Sequence, residues 1–85
     1  QARNHLMQLL TDSYHHIRWF AIKELSENPP TEAINLFANL LLDQSGIAWE
    51  QHSISDYALI ALNNLNTPES RRFVQQWQAN SDESR

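Results

Sequence analysis

Histidine, serine and acidic side chains hold most of the chemistry this chain could perform. His15 and His52 stand 37 residues apart, each at the start of a helical stretch, with His16 beside the first. A metal held between them would need a third ligand, and imidazole nitrogens about 2.0–2.1 Å from the ion. Packed helices have axes about 8–10 Å apart, close enough for the pair to approach, but no third ligand falls at a suitable position. The histidines therefore read as solvated or partly packed side chains, and His5 as a surface residue. Ser53 and Ser55 flank Ile54 between His52 and Asp56. A nucleophilic site needs a base oriented onto the hydroxyl by a third group; these four share one helix and point in different directions. Asp12, Asp43, Glu50, Asp56 and Glu69 fall at capping or solvent positions. Gly46 is the single glycine, so there is no phosphate-cradling loop, and the absence of cysteine removes disulfides and thiolate metal sites. The expectation is a chain that is not an enzyme and carries no catalytic, cofactor or metal residues.

The tryptophans read differently. Trp19 is a large aromatic on an otherwise polar helix face, flanked by Arg18 and Lys23. Binding surfaces use such anchors, and the competing reading is that Trp19 packs against an earlier helical unit or the ends of neighbouring helices. Trp49, in the long turn, either plugs a gap between helices, the favoured reading, or lies exposed as a contact, and Trp77 is expected to lie in the core. If the anchor reading holds, the partner-binding surface comprises Tyr14, Arg18, Trp19, Lys23, His52 and Asp56, with Gln51 and Ser55 beside them.

These side chains must be positioned by helices. Ile17, Ala21 and Leu25 recur as Ile54, Ala58 and Leu62 at an offset of 37, with Phe20/Tyr57 and Ile22/Leu59 as near matches. Apolar positions at helical spacing persist while polar ones drift, as expected of one helical unit used twice. At the same offset Glu32, Leu36, Phe37 and Leu40 meet Glu69, Phe73, Val74 and Trp77. At an offset of 31, Leu6, Leu9, Leu10 and Asp12 meet Phe37, Leu40, Leu41 and Asp43.

Five helices follow. The first covers 2–10, with Leu6, Leu9 and Leu10 on one face and Met7 at its edge. The second covers 14–27, capped by Asp12 or Ser13 and ended by Asn28-Pro29-Pro30, with a buried stripe of Ile17, Phe20, Ala21, Leu25 and the aliphatic part of Glu24. The third runs from 30 or 31 to 42, with Thr31 as its cap and a wide apolar face of Ala33, Leu36, Phe37, Leu40 and Leu41, extended by Ile34 and Leu42. The fourth starts at 47 or 50 and ends at 65, burying Ile54, Tyr57, Ala58, Ala61, Leu62 and Leu65. Thr67-Pro68-Glu69 is the cleanest start signal, opening a fifth helix over 68–78 with Phe73, Val74 and Trp77 inward. Residues 79–85 read as a polar tail.

Eighty-five residues bound this to one domain. A net charge of −4 opposes a phosphate-backbone binder, and no apolar run is long enough to cross a bilayer. The expectations are no nucleic acid and no membrane insertion, with a soluble, slightly cytoplasm-favoured location and no assignable compartment. The chain opens Gln1-Ala2-Arg3 without Met, which reads as a fragment or a processed product.

An Asp at the turn within each helix pair, followed by Ile-Arg-x-x-Ala-x-x-x-Leu, resembles HEAT-like repeats, closest to the short variety named after phycobilisome lyase subunits. The match is Asp12…Ile17-Arg18-x-x-Ala21-x-x-x-Leu25 and Asp43…Ile54-Ser55-x-x-Ala58-x-x-x-Leu62, within a resemblance covering about 6–77. Ser55 stands where the family has Arg, which leaves the family's Asp–Arg ladder incomplete, and the turn 43–49 is longer than usual. The resemblance implies an all-α superhelix of about two and a half helical hairpins: units 1–28 and 30–65, then a capping helix 68–78. It also implies a protein–protein interaction scaffold, the C-terminal part of a longer array. Such units stack through apolar faces and stop where a face turns polar, as at Arg71, Gln75 and Gln78. On this reading further repeats of the parent chain precede Gln1 and cover the apolar side of the first helix. The partner is another protein. Two other functions come with the resemblance: an accessory part of a bilin-lyase-like enzyme handling a tetrapyrrole, and a nucleic-acid binder gripping with Arg3, Arg18, Lys23, Arg71 and Arg72.

Overall fold

Helix-forming stretches separated by proline, asparagine and serine punctuation produce five α-helices and no strand among the described residues. A computed structural model describes the backbone of residues 2–83 and the side chains of residues 5–79. The helices are α1 (Ala2–Leu9), α2 (His15–Glu27), α3 (Ile34–Leu40), α4 (Ile54–Leu65) and α5 (Pro68–Glu83), with a single 3-10 turn at Thr31–Ala33 before α3. The Cα radius of gyration is 12.3 Å, against about 12 Å expected for a compact chain of this length. No described helix is long and apolar enough to cross a membrane.

Local chemistry explains most boundaries. Neither Asp12 nor Ser13 caps α2: Tyr14 stands at its N-cap without a side-chain cap bond, and Asp12 Oδ1 instead accepts the Tyr14 N–H at 2.9 Å, turning the chain into the helix. Asn28-Pro29-Pro30 stops that helix as expected. Thr31 does not cap α3: no side-chain cap bond forms there, and the Ala33 N–H donates to the Pro30 carbonyl at 3.1 Å in the 3-10 turn. Leu42, expected on the third helix, lies beyond it and is 81% exposed.

The largest boundary correction is at α4, which starts at Ile54 rather than 47 or 50. Ser53 and Asp56 form a capping box: the Asp56 N–H donates to Ser53 Oγ at 3.3 Å, and the Ser53 N–H to Asp56 Oδ2 at 3.0 Å. The Ile54 N–H reaches back to the Ser45 carbonyl at 2.8 Å, closing the preceding segment into a loop. These bonds satisfy the start of α4 and leave the residues before it nothing to extend.

α5 begins where Thr67-Pro68-Glu69 places it. Thr67 Oγ1 accepts the Ser70 N–H at 3.1 Å, and the buried Ser70 hydroxyl accepts the Thr67 N–H at 2.9 Å. The helix runs on to Glu83, past the expected end at 78, so most of the segment read as a tail is helical. Ser84 and Arg85 lie outside the described residues.

The core collects Leu10, Trp19, Ile22, Leu25, Ile34, Phe37, Leu40, Leu41, Ile54, Leu62 and Val74, with Phe37 fully buried. Leu36, Tyr57, Leu65, Phe73 and Trp77 pack partly buried against it. α4 is the hub, in contact with α2, α3 and α5. Near their N-termini, α2 and α4 are joined by the Trp19 indole N–H donating to the His52 carbonyl at 2.9 Å. Near their C-termini, Asn64 Nδ2 donates to the Ser26 carbonyl at 2.7 Å. The two helices therefore lie parallel.

The buried side of α2 differs from the expected stripe. Ala21 and Leu25 are buried, but so are Trp19, Ile22 and Ser26, whereas Phe20 is 56% exposed and Glu24 is exposed too. Neighbouring residues point about 100° apart around a helix. α4 occupies the Trp19–Ile22–Ser26 flank, and the Phe20–Glu24 flank is uncovered. On α4 the covered flank is the one with Tyr57 and Ala61. The repeat offset equates sequence positions; it does not tell which flank has a neighbour.

Candidate interaction surface

Arg18 is the first of the expected partner-binding residues to be placed by the fold. Its Nε donates to Asp43 Oδ2 at 2.8 Å and its Nη1 to the Asp12 carbonyl at 2.7 Å, so the guanidinium joins the turn before α2 to the turn after α3. Asp43 Oδ1 accepts the Ser45 N–H at 3.0 Å. Burial raises the Asp43 pKa, but hydrogen bonds from the Ser45 backbone and hydroxyl and the Arg18 guanidinium outweigh it. The net pKa falls below the ordinary 3.8.

Trp19 is the clearest correction. It is 6% exposed and lies in the core, not on an outward polar face. Its ring meets Tyr57 edge-on with centroids 5.6 Å apart, and Lys23 Nζ sits 5.2 Å from the indole centroid. Arg18, Trp19 and Lys23 are thus occupied within the fold. Tyr14, His52 and Asp56 remain exposed. The His52 ring packs edge-on against Tyr57 at 5.4 Å and its Nδ1 lies 3.8 Å from Asp56 Oδ2. His52, Asp56, Tyr57, Trp19 and Lys23 therefore adjoin one another. Tyr14 belongs instead with His15 and His16: its hydroxyl lies 3.3 Å from His16 Nδ1, and the two imidazoles pack edge-on at 4.5 Å.

The serines beside His52 serve the helix start. His52 and Ser53 precede α4 rather than lying within it, and Ser53 Oγ is 2.8 Å from Ser55 Oγ. Each hydroxyl is thereby engaged with the other or with the cap. Among the described residues, no three His, Cys, Asp or Glu side chains converge on one point.

Trp49 is 77% exposed at the loop before α4, where a plug between helices was expected. The loop is long enough to close on itself through Ile54 and Ser45, which leaves the indole nothing to fill. Of the basic residues suggested for nucleic acid, Arg71 and Arg72 are exposed on α5, and the side chain of Arg3 lies outside the described residues. Two open grooves flank α3. One is lined by Met7, Gln8, Thr11, Glu32 and Leu36, the other by Ala38, Leu41, Leu42, Phe73 and Trp77 among others. Leu6, Met7 and Leu9 of α1 are only half-buried, so its apolar side is partly covered.

One of these features carried a weak sequence signal: Ser53-Ile54-Ser55-Asp56 has the spacing of a capping box. The Asn64–Ser26 bond has no local signal, because its partners are 38 residues apart. No family model matches the chain, and comparison with curated proteins and with solved structures finds no significant match to either.

Proposed function

We propose that the chain is a HEAT-like helical-repeat module acting as a protein–protein interaction scaffold, with units 1–28 and 30–65 and a capping helix from Pro68. The observation carrying this reading is the Arg18 guanidinium on Asp43 Oδ2, which joins the second helix of one hairpin to the turn of the next. That is the arrangement the Asp…Ile-Arg motif implies. The parallel lie of α2 and α4, and the exposed Arg71, Gln75 and Gln78 of α5, support it further. The scaffold role is supported by large aromatic side chains held outward on ordered backbone: Tyr14 at 53%, Phe20 at 56% and Trp49 at 77% exposure. The tetrapyrrole reading rests on the resemblance alone, and the net charge of −4 weighs against nucleic acid.

Site-specific photo-crosslinking tests this. A crosslinking amino acid replaces Tyr14, His52 or, as a control on the polar side of α5, Gln75, and the chain is exposed to lysate of its source cells. The expected outcome is a discrete protein adduct from Tyr14 or His52 and none from Gln75. Equal, diffuse labelling from all three positions would rule the scaffold reading out.

A further inference from the structure

The loop between α3 and α4 holds one aromatic side chain outward on a braced turn. The Glu50 N–H donates to the Ile47 carbonyl at 2.8 Å, closing a β-turn with Trp49 at its third position. The Ile54 N–H ties the loop to the Ser45 carbonyl, also at 2.8 Å. Trp49 at 77% and Leu42 at 81% are the most exposed large apolar side chains among the described residues. Beside the loop, the groove between α3 and α5 is lined by Ala38, Leu41, Leu42, Phe73, Gln76 and Trp77 and holds about 270 Å³. Small-molecule clefts run to roughly 300–1,000 Å³, so this one is on the scale of a single large side chain. Leu42 belongs to both features: it lines the groove and opens the loop, which places knob and groove at one end of the molecule. Charge follows the same division. Glu50 adjoins the knob, and Arg72 stands one turn before Gln76, at the edge of the groove. Both are exposed and in no ion pair among the described residues.

We propose that this end of the molecule is a two-fold interface between two copies of the chain. Each copy's Trp49 enters the other's α3–α5 groove, and each Glu50 meets the other's Arg72. A second copy is the occupant because one chain carries both halves of the contact, knob with acid and groove with base. With both halves at one end, a single two-fold axis makes the contact twice and closes it, whereas a knob and groove at opposite ends would propagate into a filament. The braced turn keeps Trp49 in the presented position before the copies meet, so little ordering is lost on association. Leu42 is covered in the same step. This inference goes beyond the scaffold reading and does not depend on it: a crosslink from Tyr14 or His52 to another protein neither requires nor excludes the dimer.

Sedimentation equilibrium of the full chain, from micromolar to millimolar concentration, tests this. The expected result is a reversible monomer–dimer equilibrium that Trp49→Ala weakens about tenfold or more, a tenfold change corresponding to about 1.4 kcal/mol. Glu50→Arg and Arg72→Glu should each weaken the dimer about fivefold by setting like charges together. The double variant should restore it, because the exchanged charges again face each other across the axis. Trp49, Glu50 and Arg72 are all exposed, so circular dichroism should show every variant folded. A chain that stays monomeric throughout overturns the proposal, and so does association that Trp49→Ala leaves unchanged. Growth beyond the dimer, or a double variant no tighter than the single ones, overturns the reciprocal arrangement. A monomeric chain that crosslinks to a different protein from position 49 would remove the dimer and leave the scaffold reading standing.

Discussion

Trp19 shows how one side chain can be assigned by its hydrogen bond as much as by its bulk. A buried indole needs a partner for its N–H, and the His52 carbonyl provides it across the α2–α4 interface. Trp19→Phe keeps most of the apolar contact but strands that carbonyl, and should cost about 1–3 kcal/mol in urea denaturation. A loss near zero would mean that water replaces the indole. Arg18 and Asp43 lead to a pH prediction. The Asp43 pKa is depressed on folding, so its stabilisation is complete above 3.8 and is lost as pH falls through the lower folded value. At neutral pH Asp43→Asn should cost about 1.5–3 kcal/mol, the range for hydrogen bonds to charged groups. The gap between variant and wild type should narrow below pH 3.8, and a gap constant to lower pH would contradict this account.

At the scale of the element, α4 is defined at both ends by side-chain and backbone chemistry. Ser53 caps its start, and Asn66 ends it in the left-handed region with φ 51° and ψ 44°, its N–H donating to Leu62 at 3.4 Å. Asparagine tolerates that conformation and glycine adopts it freely, whereas alanine costs roughly 1–2 kcal/mol there. Thermal melts should therefore place Asn66→Gly at or above wild type and Asn66→Ala clearly below it. The reverse order would mean the helix end relaxes out of that conformation. Most helix cores were legible from apolar spacing. The start of α4 was misplaced because Ile47, Ala48 and Trp49 continue an apolar pattern, while the capping box lies further on.

At the scale of the molecule, the helices are unequally supported. α4 touches α2, α3 and α5, whereas α1 packs chiefly on α2. Local openings cost least where contacts are few. Amide hydrogen exchange should therefore be slowest along α4 and fastest in α1. Equal protection in both would show that the five helices open only as one unit.

By itself, the sequence determined the all-α class and most of the core, because apolar spacing and proline punctuation act over a few residues. Ala21, Leu25, Phe37, Ile54 and Leu62 were all legible in that way and are all buried. Only the tertiary structure decided which flanks of α2 and α4 are covered. Trp19 and Phe20 are adjacent in the chain, yet one lies in the core and the other faces solvent. The difference comes from α4, whose contacts with α2 join residues more than thirty positions apart. Helical periodicity defines the faces of a helix; the placement of its neighbours decides which of them is buried.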